Sequence, residues 1–310
     1  MASTTTTNST GNSRALVNQQ QVEKKLSSRL TTNKVLKWAF FACTLIGLVV
    51  LAALLVNTLY KGLPYLTPTF FTNFSSSMPS MAGIKGALIG TLWLMITIIP
   101  ISIILGVGTA IYLEEYAKDN AFTSFVKISI SNLAGVPSVV FGLLGLTIFV
   151  RGMGIDALSL GNSVIAAALT MSLLILPVII VSSQEAIRAV PKSVREASYG
   201  LGGNKWQTIY RIVLPAALPG ILTGFILSLS RALGETAPLI LIGIPTILLK
   251  LPSSIFDHFQ AMPIQIYNWA KLPQEEFQHV ASAGIIVLLV LLLAMNGLAI
   301  FLRNKFSKKY

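Results

Sequence analysis

The chain has 310 residues, of which 54% are hydrophobic and only 11% charged, and its apolar side chains fall in long runs; it reads as a membrane protein rather than a soluble domain. A net charge of +12 would suggest nucleic acid for a soluble protein, but here the basic residues flank apolar runs, so lipid is the expected contact and nucleic acid is not. Uncharged runs cover 38–60, 86–113, 128–150, 157–184 and 280–302, and a sixth at 217–249 is broken only by Arg231 and Glu235; each reaches the ~20 residues that span a bilayer.

These runs predict an all-α polytopic membrane protein with six transmembrane helices. They take up roughly half the chain and leave no room for a soluble catalytic domain. If the first residues are cytoplasmic, 17 Lys and Arg lie inside and five outside (Lys61, Lys85, Arg151, Lys250, Lys271), with Arg231 within the membrane. Both termini are therefore predicted to be cytoplasmic.

Residues 1–33 begin MASTTTTNSTGNSRALVNQQQ and are rich in Thr, Ser, Asn and Gln, so they read as a disordered cytoplasmic tail, neither signal peptide nor folded unit. The remainder, 34–310, forms one transmembrane domain. Cys43, the only cysteine, falls in the first run; an internal disulfide and a cysteine metal cluster are excluded, and a small core residue is expected. Gly86-x-x-x-Gly90 opens the second run. In NLAGVPSVVFGLLGL, Ala134, Ser138 and Gly142 make a small-residue stripe suited to close helix packing, with Pro137 able to kink the helix. The third span is expected to be buried between neighbours.

The loop at about 184–216 is the most structured of the polar segments. Ser193 with Glu196 three residues later predicts a capping box, and Gly202-Gly203 ends the short helix. Asn204 with Gln207 predicts a second cap; Trp206, Ile209, Tyr210 and Val213 fall on one face before Pro215 stops that helix. Two amphipathic helices at a glycine elbow, with Val194, Ala197 and Leu201 as an apolar edge, suggest a docking surface.

Glu196-Ala197, Gly202 five residues after Ala197, and then Ile212, Leu214 and Pro215 resemble the E-A-A-x3-G-x9-I-x-L-P signature of ABC importer permeases, with Ser198 replacing the second alanine. AGVPSVVFGLLGL is similar to permeases of the phosphate-specific transport family, and SRALGETAPL followed by AMPIQIYNWA looks like the PstA-type subunit. The resemblance runs from about Trp38 to the C-terminus and implies a type I ABC importer permease in the bacterial inner membrane. It also implies a homologous PstC-type permease, an ATPase dimer that receives the short helix, and an extracytoplasmic phosphate-binding protein as partners.

Arg231 and Glu235, four residues apart, would share a helical face and could pair. An isolated charge at the bilayer centre costs from about 2.5 to more than 10 kcal/mol, so such residues face a bundle interior or a wet cavity. Two roles stay open: an ion pair that fastens helices, or a fixed positive potential on an anion's route, held and moderated by Glu235. The outside segment 256–269 is expected to form a short amphipathic helix or re-entrant turn. His258 and His279, in the same outside region, lack metal-ligand spacing.

No G-x4-G-K-[ST] loop is present, so ATP and Mg are expected on a partner chain, and no cofactor on this one. No nucleophile–base set is in plausible register; the chain is expected to be no enzyme. The leading reading is a permease subunit of an ATP-driven phosphate importer. Its rivals are a permease for another oxyanion or solute, a proton-coupled secondary carrier using Glu235, and a membrane anchor without transport activity.

Overall fold

In a computed structural model, residues 19–245 and 247–306 are described. The chain divides at Asn57–Thr58 into two units. The first is the leading part of helix α1 (Gln19–Gly62), whose side chains from Arg29 to Asn57 are exposed, Cys43 included. The expected core role for Cys43 is thus not met: the run around it is apolar on every side, as suits a membrane span, and its side chain stays on the helix surface. Of the tail expected at 1–33, residues 1–18 lie outside the described residues, while 19–33 are helical.

The second unit is built on α2 (Lys85–Tyr116), α3 (Ala121–Leu133), α4 (Ser138–Val150), α5 (Val164–Arg188), α6 (Lys192–Gly200), α7 (Lys205–Gly234), α8 (Ala237–Leu241), α9 (Met262–Lys271) and α10 (Glu275–Phe306). Helix α5 is its centre. Val164, Met171, Ile175 and Ile179 are wholly buried, packed among Leu94 and Ile98 of α2, Phe141 of α4 and Leu229 of α7. Among the described residues five helices, α1 included, are long and apolar enough to cross a membrane, and the bent pair α3 and α4 brings the number to six when taken as one broken span.

That break corrects the continuous run read at 128–150. The two halves meet at 104°. Pro137 disfavours a helical Val136, the last turn closes with Gly135 N–H to the Asn132 carbonyl, and α4 starts afresh after Pro137. The third span is only partly buried: Phe141, Gly142 and Gly145 face inward while Val139, Leu143 and Leu144 are exposed. A Cβ at Gly142 would stand 2.8 Å from Pro238 Cα, so the small stripe admits α8. Gly86 and Gly90 face Gln260, in the extended segment before α9, rather than another helix.

The run at 217–249 is likewise not one helix. Helix α7 stops at Gly234, Glu235 is extended (φ −81°, ψ 118°), and only the five residues of α8 follow. Pro238 cannot donate to the Gly234 carbonyl and crowds it, so the break falls one turn before the proline. Residues 256–269 yield helix α9 from Met262, and Met262, Ile264, Gln265, Ile266 and Trp269 are buried. His258 Nδ1 lies 2.9 Å from the Asn162 carbonyl, and His279 stacks on Tyr65 at 5.5 Å.

Candidate functional site

Helix α6 differs from its expected form at the start and matches it at the end. Pro191 is its N-cap and no side chain caps it, so the Ser193–Glu196 box does not form; the helix begins two residues earlier than that box would start it. At the other end Gly202 has φ +83°, its N–H reaches the Tyr199 carbonyl at 2.9 Å, and the Gly203 N–H reaches the Ser198 carbonyl at 3.0 Å. This is a Schellman turn, with glycine where the backbone is left-handed. Asn204 and Gln207 then form the expected reciprocal cap, at 2.8 and 3.0 Å.

Pro215 does not stop the second helix, contrary to expectation. Residues Ile209–Val213 form a π turn, and α7 runs on to Gly234. The wider turn re-registers the hydrogen-bond ladder, so the proline enters the first turn of the following segment, where its missing N–H costs little. The apolar face read in this helix splits: Ile209 and Val213 are buried, whereas Trp206 and Tyr210 are exposed and stacked at 6.0 Å.

The elbow holds its two arms together through side chains. Thr208 donates to the Asn204 carbonyl at 3.1 Å, so its hydroxyl proton is committed and Ser198 Oγ donates to Thr208 Oγ1 at 2.8 Å. Both residues are buried. Ser198, the departure from the alanine motif, therefore fastens α6 to α7. Among the other motif residues, Glu196, Ala197 and Gly202 are exposed; Ile212, Leu214 and Pro215 are half-buried, Ile212 lining an apolar cleft with Val190, Val194 and Ala216. Leu201 is 91% exposed.

Residues not singled out from sequence complete this end. Arg188 grips Glu114 with a fork, 2.7 Å to Oε1 and 3.4 Å to Oε2, and Lys127 Nζ stands 3.4 Å from the same carboxylate. Arg195 of α6 reaches Glu115 Oε1 at 3.0 Å and the Ile187 carbonyl at 2.8 Å, and also bonds the Val190 carbonyl. It thus holds one carbonyl in the last turn of α5 and one just beyond that helix while pairing with α2. The side chains of Arg195 and Glu115 are 17% and 9% exposed, and stripping one partner from a pair this buried costs on the order of 3–5 kcal/mol. The available signal was two adjacent acids, in IYLEEYAK, on the side where positive charge was expected.

Arg231 and Glu235 lie elsewhere. Nineteen residues separate Arg231 from Ile212 along α7, about 28 Å at helical rise, so the motif and the charges mark opposite ends of one helix. They do not pair. Among the described residues the ion pairs are those of Glu114 and Glu115 just given, because Glu235 has left the helix and no longer shares a face with Arg231. Arg231 is exposed in the last turn of α7, where the helix dipole favours a cation, and its neighbour Ser230 bonds Asn296 of α10 at 2.6 Å.

Residues 98–308 match the family described as binding-protein-dependent transport system inner membrane component. The chain belongs to that family. Its relatives include the probable ABC transporter permease protein YqgI of Bacillus subtilis (strain 168), 31% identical and covering 91% of this chain and 98% of that protein. The phosphate transport system permease protein PstA of Mycobacterium leprae (strain TN) is 36% identical, covering 79% and 80%. In fold, the permease is similar to a chain of the bacterial alginate ABC transporter crystallised with a pentasaccharide-bound periplasmic protein, with a TM-score of 0.65, 15% identity, and coverage of 91% of this chain and 98% of that one. The permease is therefore a multi-pass membrane component with a type I importer fold, and not an enzyme.

Proposed function

We propose that this chain is the transmembrane permease subunit of an ATP-driven inorganic phosphate importer in the bacterial inner membrane, with both termini cytoplasmic. The observation that carries the substrate is similarity to PstA proteins over most of the chain. The elbow supports the mechanism: a short helix held by polar links, ending in an exposed Leu201 and followed by the stacked Trp206–Tyr210 pair, offers apolar anchors to an ATPase dimer. ATP and Mg belong to that dimer. A homologous PstC-type permease completes the pathway, and an extracytoplasmic phosphate-binding protein delivers the anion.

Glu196, Ala197 and Gly202 present the docking face, while Ile212, Leu214 and Pro215 carry its displacement into α7. Arg231, unpaired at the far end of α7, meets the anion with a planar donor fork suited to tetrahedral oxyanions. Glu235, on the loosened backbone beside it, moderates the local charge. One weak cationic site per chain suits passage rather than storage. The test is competition in reconstituted vesicles: excess unlabelled phosphate should abolish uptake of labelled phosphate while sulfate and organic solutes do not. Equal competition by another oxyanion would transfer the reading to that substrate.

A further inference from the structure

The turn that ends α2, Glu114-Glu115-Tyr116, holds a different element with each of its three residues. Glu114 takes Arg188 from the end of α5 and Lys127 from α3. Glu115 takes Arg195 from the middle of α6. The ring of Tyr116 lies under Lys205 Nζ, the first residue of α7, 4.9 Å from the ring centroid. This turn is π-helical from Tyr112 to Tyr116, and its successive side chains point in different directions around the axis, so three neighbours can reach different elements. All four cationic partners come from segments that sequence alone leaves far apart.

Helix α6 has little other support. Of its nine residues only Ser198 is buried, so apolar packing does not hold it. Two polar routes leave it: Ser198 and the glycine elbow lead to α7, and Arg195 leads to α2 and the end of α5. Directional, partly buried links of this kind transmit displacement as a unit, whereas a solvated loop would absorb it.

We propose that the Glu114-Glu115-Tyr116 turn is the strap through which movement of the elbow is handed to α2, from α6 at Glu115 and from the start of α7 at Tyr116, so that these two positioning residues set how much substrate moves per ATP rather than whether the ATPase docks. The proposal rests on the coupling reading of α6 above. Without the strap, α6 still follows its docked partner but pulls only on α7.

The experiment uses the whole importer, with partner permease, ATPase and binding protein, in proteoliposomes, comparing the unaltered chain with Glu115→Gln and Tyr116→Leu. Glutamine keeps the shape of Glu115 and removes its charge; leucine keeps bulk and removes the aromatic face. ATP hydrolysis occurs on the partner and continues, and the ATPase retained per permease on purification is unchanged. Phosphate moved per ATP should fall about fivefold or more, the lower end of typical coupling between sites. If Glu115→Gln does not assemble, Tyr116→Leu decides, Tyr116 being an exposed residue, 41% accessible, whose replacement leaves the buried core untouched. Absence of ATP-driven uptake in the unaltered importer removes the coupling reading and the strap with it. Normal uptake there, with unchanged phosphate per ATP in the assembled variants, overturns the strap alone.

Discussion

Replacing Gly202 separates backbone geometry from surface contact at the elbow. The residue sits at φ +83°, and a Cβ added there would meet nothing within 4 Å, so a substitution is strained but not crowded inside the chain. The left-handed region costs an ordinary residue roughly 1–2 kcal/mol and asparagine less. One or two kcal/mol is a factor of about 5–30 in population, so Gly202→Ala should leave the elbow formed in a correspondingly smaller share of molecules. Gly202→Asn should be mild and Gly202→Val severe, because a β-branched residue is a poor fit at positive φ. Measured as ATP-driven uptake per assembled importer, the order should be Gly, Asn, Ala, Val. If alanine equals glycine while asparagine is as damaging as valine, side-chain size at a docking face governs, and the argument from the turn is wrong.

Leu201→Asp should change folding stability by no more than about 0.5 kcal/mol, as expected of an exposed residue, yet weaken ATPase binding by about 30-fold, as for a central apolar anchor; unfolding of the purified chain reads the first and co-purification at graded ATPase concentrations the second. Arg231→Ala should abolish phosphate uptake, and adding Glu235→Gln should not restore it, since no pair exists to be neutralised together; recovery in the double variant would mean the two charges meet in a state other than this one. Asp257 accepts from the Ser253 hydroxyl and from the Ser253 and Ser254 amides, at 2.7, 2.8 and 3.0 Å, and these bonds hold its carboxyl below the ordinary range. That clamp should therefore be complete above the usual carboxylate pKa of about 3.9 and be lost as pH falls through the lowered value. At neutral pH Asp257→Asn should speed hydrogen exchange at the Ser253 and Ser254 amides, and unchanged exchange would count against the clamp.

Local signals at the glycine elbow were legible, whereas the equally local Ser193–Glu196 cap was displaced by Pro191. The Asn204–Gln207 cap and the Gly202-Gly203 turn need only a few adjacent residues, and both were readable from spacing. Breaks inside apolar runs were harder, because hydropathy measures length and not backbone continuity. Thus Pro137 and Pro238 end helices, while Pro215, relieved by a π turn, does not. The Arg231–Glu235 pairing failed for the same reason: four-residue spacing places two charges on one face only while the helix lasts. Glu114 and Glu115 were missed because their partners stand at 127, 188 and 195, and no short-range pattern announces contacts of that separation.

The decisive measurement is labelled phosphate uptake by vesicles containing this chain with its partner permease, the ATPase and the binding protein, with and without ATP inside. Accumulation against a gradient should require internal ATP and persist when the proton gradient is collapsed. Uptake that ignores ATP and disappears with the proton gradient would contradict the importer reading and place the chain among secondary carriers.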